Sequence, residues 1–282
     1  MTKKNKKPIR IIPLLDIKNG VLIKGINLEG LRVLGIPQKF AKYYYQTGAD
    51  EIIYIDNVAT LYGTNNLSEF ISKTAKNVFI PLAVGGGIKS LNDIKEMFKA
   101  GADKVCINSS IIDNVKNLEK AAKVYGSSNI SVIIQAVKIQ GKYYISKSNG
   151  RDLINKNPKE WAKKVEDYGA GEIIITSINN EGLKNGFDIK LTQNISNSVK
   201  IPVIAHGGAG NFRDVLRIIK QTKISGVAIA SLFHYEAINN FSKPNPKIGN
   251  TNFINNYQIK KSKNIIKDLK EYLIKKGIEI RT

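Results

Sequence analysis

Two glycine-rich turns are the residues of this chain whose types and spacing speak first of chemistry. The run Ile80-Pro-Leu-Ala-Val-Gly-Gly-Gly-Ile88 ends an apolar segment in three glycines, and Ile201-Pro-Val-Ile-Ala-His-Gly-Gly-Ala-Gly210 repeats the device 121 residues later. With no Cβ in the way, backbone amides of such a turn approach an anion closely, and the helix that follows begins with unpaired N–H groups. The chemistry implied is phosphate binding, twice. Gly101-Ala-Asp-Lys-Val-Cys-Ile-Asn-Ser-Ser110 follows the first turn and Gly226-Val-Ala-Ile-Ala-Ser-Leu232 the second, and Gly48-Ala-Asp-Glu-Ile-Ile returns as Gly169-Ala-Gly-Glu-Ile-Ile at the same offset. The chain therefore reads as two copies of one half, suited to a substrate with a phosphate at each end.

Strands and helices must alternate to place such turns. A doubled unit with glycine turns at strand ends predicts an α/β fold, a (β/α)8 TIM barrel built from two half-barrels, about 9–126 and 130–236, in a single domain over 1–282. Strands are expected at 9–15, 51–55, 79–84, 104–107, 130–136, 172–177, 199–205 and 226–230. Helices are expected at 40–47, 67–77, 92–100, 115–125, 158–168, 189–196 and 212–222. The polar segment 24–37 reads as a mobile loop, 143–146 as part of a hairpin turning at Asn149-Gly150, and 239–256, rich in Asn and Lys, as an inserted surface loop. An amphipathic helix at about 262–276 closes the chain, its basic face solvated.

Composition narrows the function classes. The 44 basic and 23 acidic residues leave a formal net charge of +21, a field that draws phosphorylated metabolites or nucleic acid. The lysines are scattered, with no compact basic element interleaved with aromatics, so a phosphorylated small molecule is expected and nucleic acid is not. Abundant Lys, Ile and Asn also fit a bias of the coding sequence. The single cysteine, Cys106, excludes an intrachain disulfide and reads as a small core residue in a reducing compartment. The apolar stretch 9–15 is too short for a secretion signal, and no run reaches membrane-spanning length. A cytoplasmic protein without membrane contact is expected, and no Cys pair or His cluster calls for a metal or other cofactor.

The opening Arg10-Ile-Ile-Pro-Leu-Leu-Asp-Ile-Lys-Asn-Gly20, both glycine turns and the ending Lys276-Gly-Ile-Glu-Ile-Arg281 resemble the cyclase-subunit family of imidazole glycerol phosphate synthase, over about 10–281 without 239–256. The sister isomerase of histidine biosynthesis shares the fold and phosphate turns, but Gly169-Ala-Gly-Glu-Ile-Ile-Ile-Thr-Ser looks like the cyclase. The resemblance implies a glutaminase partner whose ammonia travels through the barrel to an open-chain bisphosphate, phosphoribulosyl-formimino aminoimidazole carboxamide ribotide. Ring closure and cleavage then yield imidazole glycerol phosphate and aminoimidazole carboxamide ribotide.

The resemblance also assigns residues. Asp16 is one of two catalytic carboxylates, which suits addition of ammonia, loss of water and lyase cleavage at a strand C-terminus. The second falls on Gln135, whose amide hydrogen-bonds but carries no proton between steps. Phosphate is expected at Gly87, Asn108 and Ser109 in the first half and at Gly182, Gly208, Ala230 and Ser231 in the second. Lys24 resembles a mobile-loop lysine that meets substrate, while Thr176 and His206 end strands facing it, the family more often having Ser at the latter place. Glu181-Gly-Leu183 stands where the family has Asp-Gly-Thr, and the Thr-Gly of the excursion after the fifth strand is missing around 154–155. Arg10, Glu51, Lys104 and Glu172 each open a strand. Two charges of each sign can form a neutral ring, which in the family is the ammonia gate, with Asp103 beside it resembling a partner-facing residue.

Three functions remain open at this stage. The first is the ammonia-dependent cyclase and lyase. The second keeps barrel and channel but uses partner-made ammonia to amidinate a nucleotide-linked sugar in surface-polysaccharide synthesis. The third is a non-catalytic scaffold that binds a bisphosphate or a glutaminase. No Cys–His pair on a nucleophile turn is present, so the glutaminase must be a separate subunit.

Overall fold

The computed structural model describes residues 8–57, 67–241 and 264–281. The chain opens with β1 (Arg10–Lys18), which turns at Asn19-Gly20 into an antiparallel hairpin, β2 (Val21–Ile26) and β3 (Glu29–Gly35). Then α1 (Pro37–Gln46) leads to β4 (Ile52–Asp56), α2 (Leu67–Ala75) to β5 (Leu82–Gly85) and α3 (Leu91–Lys99) to β6 (Lys104–Ile107). The short α4 (Ser109–Asp113) and α5 (Lys116–Tyr125) precede β7 (Ile130–Ile139), which is extended by antiparallel β8 (Lys142–Lys147) and β9 (Asp152–Ile154). The remainder runs α6 (Pro158–Asp167), β10 (Glu172–Ser177), α7 (Ile189–Ser196), β11 (Val203–His206), α8 (Phe212–Gln221), β12 (Gly226–Ile229), α9 (Ser231–Phe241) and α10 (Ile265–Lys275).

Eight strands pair in parallel in the order β1, β4, β5, β6, β7, β10, β11, β12, and β12 returns to β1. This is the closed (β/α)8 barrel that the repeated turns predict. Alternation along each strand separates two apolar layers. Ile12, Leu14, Ile53, Ala83, Cys106, Ile133, Ile174, Ile204 and Ala228 fill the inside, while their neighbours Ile11, Leu15, Ile52, Val105, Ile173 and Val227 pack outward in the layer shared with the helices. Burying each such aliphatic side chain contributes roughly 1.5–3 kcal/mol. The helices after the two glycine turns start alike: Ser90 with Asp93, and Asn211 with Asp214, form reciprocal capping boxes. Each satisfies amides that the helix start leaves unpaired.

The structure corrects several boundaries. Segment 24–37 is no irregular loop but most of the β2–β3 hairpin, turned by Asn27 and Leu28 at φ of 52° and 66°. The Gly-free turn hid the hairpin from a search for Asn-Gly or Gly-Gly signals. The third barrel strand starts at Leu82, not 79, because Pro81 gives no N–H to a ladder and Phe79 is 74% exposed. The seventh starts at Val203, just after Pro202, rather than at 199. The first turn of the excursion after β7 is Gln140-Gly141, and Asn149-Gly150 turns β8 into β9. Helices α4 and α9 were not anticipated. The latter takes up 239–241 of the expected insertion, and 242–263 lie outside the described residues.

The closing helix is present, burying Ile265, Ile266, Leu269 and Leu273. Beyond it Ile280 bridges Ile9 in parallel; Ile9 N donates to Glu279 O at 2.9 Å and Arg281 N to Ile9 O at 3.3 Å. Lys270 Nζ joins this corner to Asp50 Oδ1 at 2.7 Å and to Arg281 O at 2.9 Å. Among the described residues, no helix is long and apolar enough to cross a membrane.

Candidate active site

Parallel strands put every strand C-terminus on one rim, so Asp16, both glycine turns, Gln135, Thr176 and His206 gather at one mouth. Asp16 follows Ile12 and Leu14 on the inward face of β1 and is 6% exposed. Burial pushes its carboxyl up to about 6; Lys24 pulls it down, Glu181 adds to the rise, and a hydrogen bond from the Asn57 side chain favours the anion. The carboxyl is thus poised to exchange a proton near neutral pH.

The first cradle is an open cavity of about 360 Å³ whose wall includes Gly86, Gly87, Asn108, Ser109 and Gln135. Gly86 has φ +105°, and a Cβ there would sit 2.3 Å from Asp56 O. Only glycine lets the turn pass so close to β4. The buried Asn108 Oδ1 and Gln135 Oε1 have no hydrogen-bond partner among the described residues. Ser109 Oγ accepts from Ser148 N at 3.1 Å. Lys147, Ser148 and Asn149 from the β8–β9 turn complete the wall; sequence reasoning missed them, though the polar run before Gly150 was the available signal.

The second cradle, formed by Gly182, Gly207, Gly208, Ala230 and Ser231, is nearly filled, with about 10 Å³ of free space. Lys24 and Glu181 belong to its wall. Their side chains pair there at 2% and 1% exposure. Glu181 Oε2 also accepts from Leu28 N at 3.0 Å, Asn27 N donates to Glu181 O at 2.9 Å, and Asn27 Nδ2 donates to Ile178 O at 2.6 Å. These bonds fasten the hairpin over the cradle, so Lys24 lies buried in a latch and not on a free loop. Leu183, where the family has Thr, is 45% exposed.

His206 lines the same cradle. Its Nδ1 lies 3.0 Å from Thr176 Oγ1, and burial holds its pKa down at about 4, so the ring is neutral. The second histidine, His234 on α9, faces away into the core, its Nδ1 2.6 Å from Tyr44 Oη. No group of His, Cys, Asp and Glu that could hold a metal occurs among the described residues.

The other end of the barrel carries a closed cycle of charge. Arg10 pairs with Glu51 at 2.8 Å and with Glu172; Lys104 pairs with Glu51 at 3.1 Å and with Glu172 at 3.3 Å. Each charge has two opposite neighbours, as four partly desolvated groups require. Burial raises the Glu51 carboxyl, and Lys104 and Arg10 counter it. Asp103 is exposed, and its Oδ2 accepts from Leu82 N at 2.8 Å.

The arrangement is matched among known proteins. The family profile described as "Histidine biosynthesis protein" covers residues 10–239. An "Imidazole glycerol phosphate synthase subunit HisF" of Legionella pneumophila is 46% identical over 73% of this chain and 98% of its own length. A protein of the same description from Bacillus cereus (strain G9842) is 44% identical over 80% of this chain and 90% of its own. With the profile spanning all eight barrel strands, both cradles and the charged cycle, the chain belongs to the histidine biosynthesis protein family.

Proposed function

We infer that the chain is the ammonia-dependent cyclase subunit of an imidazole glycerol phosphate synthase, a lyase of histidine biosynthesis. The observation that carries this is the axis: a neutral charged collar at one end and, at the other, an inward carboxyl of raised pKa with a glycine cradle in each half. A glutaminase subunit docks at the collar, with Asp103 on that face. Ammonia enters between Arg10, Glu51, Lys104 and Glu172.

The substrate spans the mouth, one phosphate on Gly87, Asn108 and Ser109, the other on Gly182, Gly208, Ala230 and Ser231. For the second phosphate to enter, the Lys24–Glu181 pair must leave the cradle, which frees the ammonium of Lys24 to meet it. Asp16 exchanges protons during addition of ammonia, loss of water and cleavage. Gln135, through its unpaired Oε1, accepts a hydrogen bond from substrate. The enzyme works in the cytosol, where its phosphorylated substrate is made.

The experiment is growth of a histidine auxotroph lacking its own cyclase, together with turnover of the formimino bisphosphate in ammonium salt. Growth and turnover are expected. A well-expressed copy that supports neither removes the assignment and moves the acceptor to a nucleotide-linked sugar.

A further inference from the structure

We propose that His206 is the second proton-transfer residue of this mouth, sharing with Asp16 the work that Gln135 cannot do. The inference rests on the cyclase reading above. Gln135 is the Cα partner of Thr176, and Thr176 of His206, so the three form one row across β7, β10 and β11. β7 stands four strands from β1 around the barrel and β11 two, so the row runs from the wall facing Asp16 to a quarter-turn from it. The amide sits at the far end of the row, and the imidazole at the near end.

Addition of ammonia to a ketone needs a group that gives a proton to oxygen and another that takes one from nitrogen. Four buried titratable side chains described on this rim are Asp16, Lys24, Glu181 and His206. Once the second phosphate parts Lys24 from Glu181, the Lys24 ammonium is taken by that phosphate, and Glu181 still holds the hairpin amide of Leu28. Among the described residues the side chain of His206 is committed through Nδ1, to Thr176, which fixes the ring and leaves Nε2 for a substrate in the cradle it lines with Gly208 and Ser231.

Among the described residues, the charged groups that act on the ring are Glu181, which raises its basicity, and Lys24, which lowers it; the ring of His234 in turn feels His206. Burial outweighs them and keeps the imidazole neutral. A phosphate dianion seated at Gly208 and Ser231 favours the imidazolium, so the base strengthens when substrate arrives.

The nitrogen lone pair of ammonia forms the C–N bond while the C=O π pair moves to oxygen; protonated Asp16 gives its proton to that oxygen, and His206 Nε2 takes one from nitrogen. In the dehydration, imidazolium returns its proton to the hydroxyl, which leaves as water while the nitrogen pair forms C=N. The Asp16 carboxylate then takes the iminium proton. Ketone and ammonia have become imine and water, with both side chains restored.

The test compares ammonium-driven turnover of the formimino bisphosphate by the full chain with that of His206→Asn, His206→Ser, Gln135→Asp and the double variant Gln135→Asp/His206→Asn. Loss of about 10²–10⁴-fold in kcat with KM little changed is expected for both single His206 variants, with partial recovery in the double variant. A His206→Asn rate within threefold of wild type overturns the proposal. If wild type is idle and Gln135→Asp alone starts turnover, His206 does not serve and the proposal falls, while the cyclase reading stands. If both are idle, the cyclase reading fails and takes this inference with it. An arm independent of variant folding is NMR titration of the His206 ring in wild type with saturating inorganic phosphate: its pKa must rise by at least one unit, and a fixed value overturns the proposal.

Discussion

Lys24 and Glu181, 157 positions apart in sequence, form an ion pair closed off from water that fastens the β2–β3 hairpin over the second cradle. Removing one partner strands the other as a lone buried charge. Glu181→Gln is therefore expected to lower stability by about 3–5 kcal/mol, read as a lower urea midpoint, and to speed hydrogen exchange at Asn27 and Leu28. The apolar pair Lys24→Met with Glu181→Leu should recover most of the midpoint. An unshifted midpoint in the single variant would deny the latch.

Asp16 trades stability for proton exchange. Its folded pKa of about 6 lies above the ordinary value of 3.8. The folded state therefore binds the proton more tightly than the unfolded chain. Stability contributed by this group is full below about pH 4 and is lost as pH rises through 6. Asp16→Asn should then be more stable than wild type at pH 8, by on the order of 2–3 kcal/mol, and indistinguishable at pH 3.5, while ammonia-driven turnover drops about 10²–10⁴-fold. Urea titrations at the two pH values, beside one rate assay, check all three. A stability gain that does not depend on pH would break the link to the carboxyl.

The collar predicts a contrast between two glutamates. Glu172 holds both Arg10 and Lys104 with its side chain 7% exposed, whereas Glu69 meets Lys73 on the exposed face of α2, both side chains more than 60% exposed. Glu172→Ala should cost about 3–5 kcal/mol. Glu69→Ala should leave the unfolding midpoint where it is. Equal midpoints for the two variants would show that the cycle is solvated in solution.

Two glycines with positive φ should respond differently to a methyl group. At Gly208 a Cβ would meet Gly186 O at 2.1 Å, at the floor of the second cradle; at Gly30, on the hairpin, it meets nothing among the described residues within 4 Å. Gly208→Ala is expected to raise KM for the bisphosphate about tenfold or more, equivalent to roughly 1.4 kcal/mol or more of binding. Gly30→Ala costs only backbone strain of about 1–2 kcal/mol in stability, with KM unchanged. Matching KM values would remove the cradle from substrate binding.

Strand positions were legible where a charge opened an apolar run and a polar residue ended it. Lys104–Ile107, Glu172–Ser177 and the helix Ile189–Ser196 fall where sequence places them. The collar was readable for the same reason, since Arg10, Lys104 and Glu172 each open a strand and Glu51 stands one residue before β4. Proline decides what was misread: Pro81 and Pro202 delay the strands that their apolar neighbours suggest. The hairpin was hidden because Asn27 and Leu28 take left-handed φ without a glycine, held by bonds to Glu181 and Ile178 from far along the chain. No local pattern carries a contact of that separation. The row joining Gln135, Thr176 and His206 likewise exists only once β7, β10 and β11 are in register.

The bridge between Ile9 and Ile280 hems the barrel where its first strand begins. Arg10 stands immediately above that seam, and Asp16 six residues farther up the same rod. Trimming the polypeptide back past Ile278 would unpick the seam, taking with it both backbone hydrogen bonds that Ile9 makes to the tail. The last residues of the fold are thereby a fastening for its first strand, next to the charged pole and far from the glycine turns.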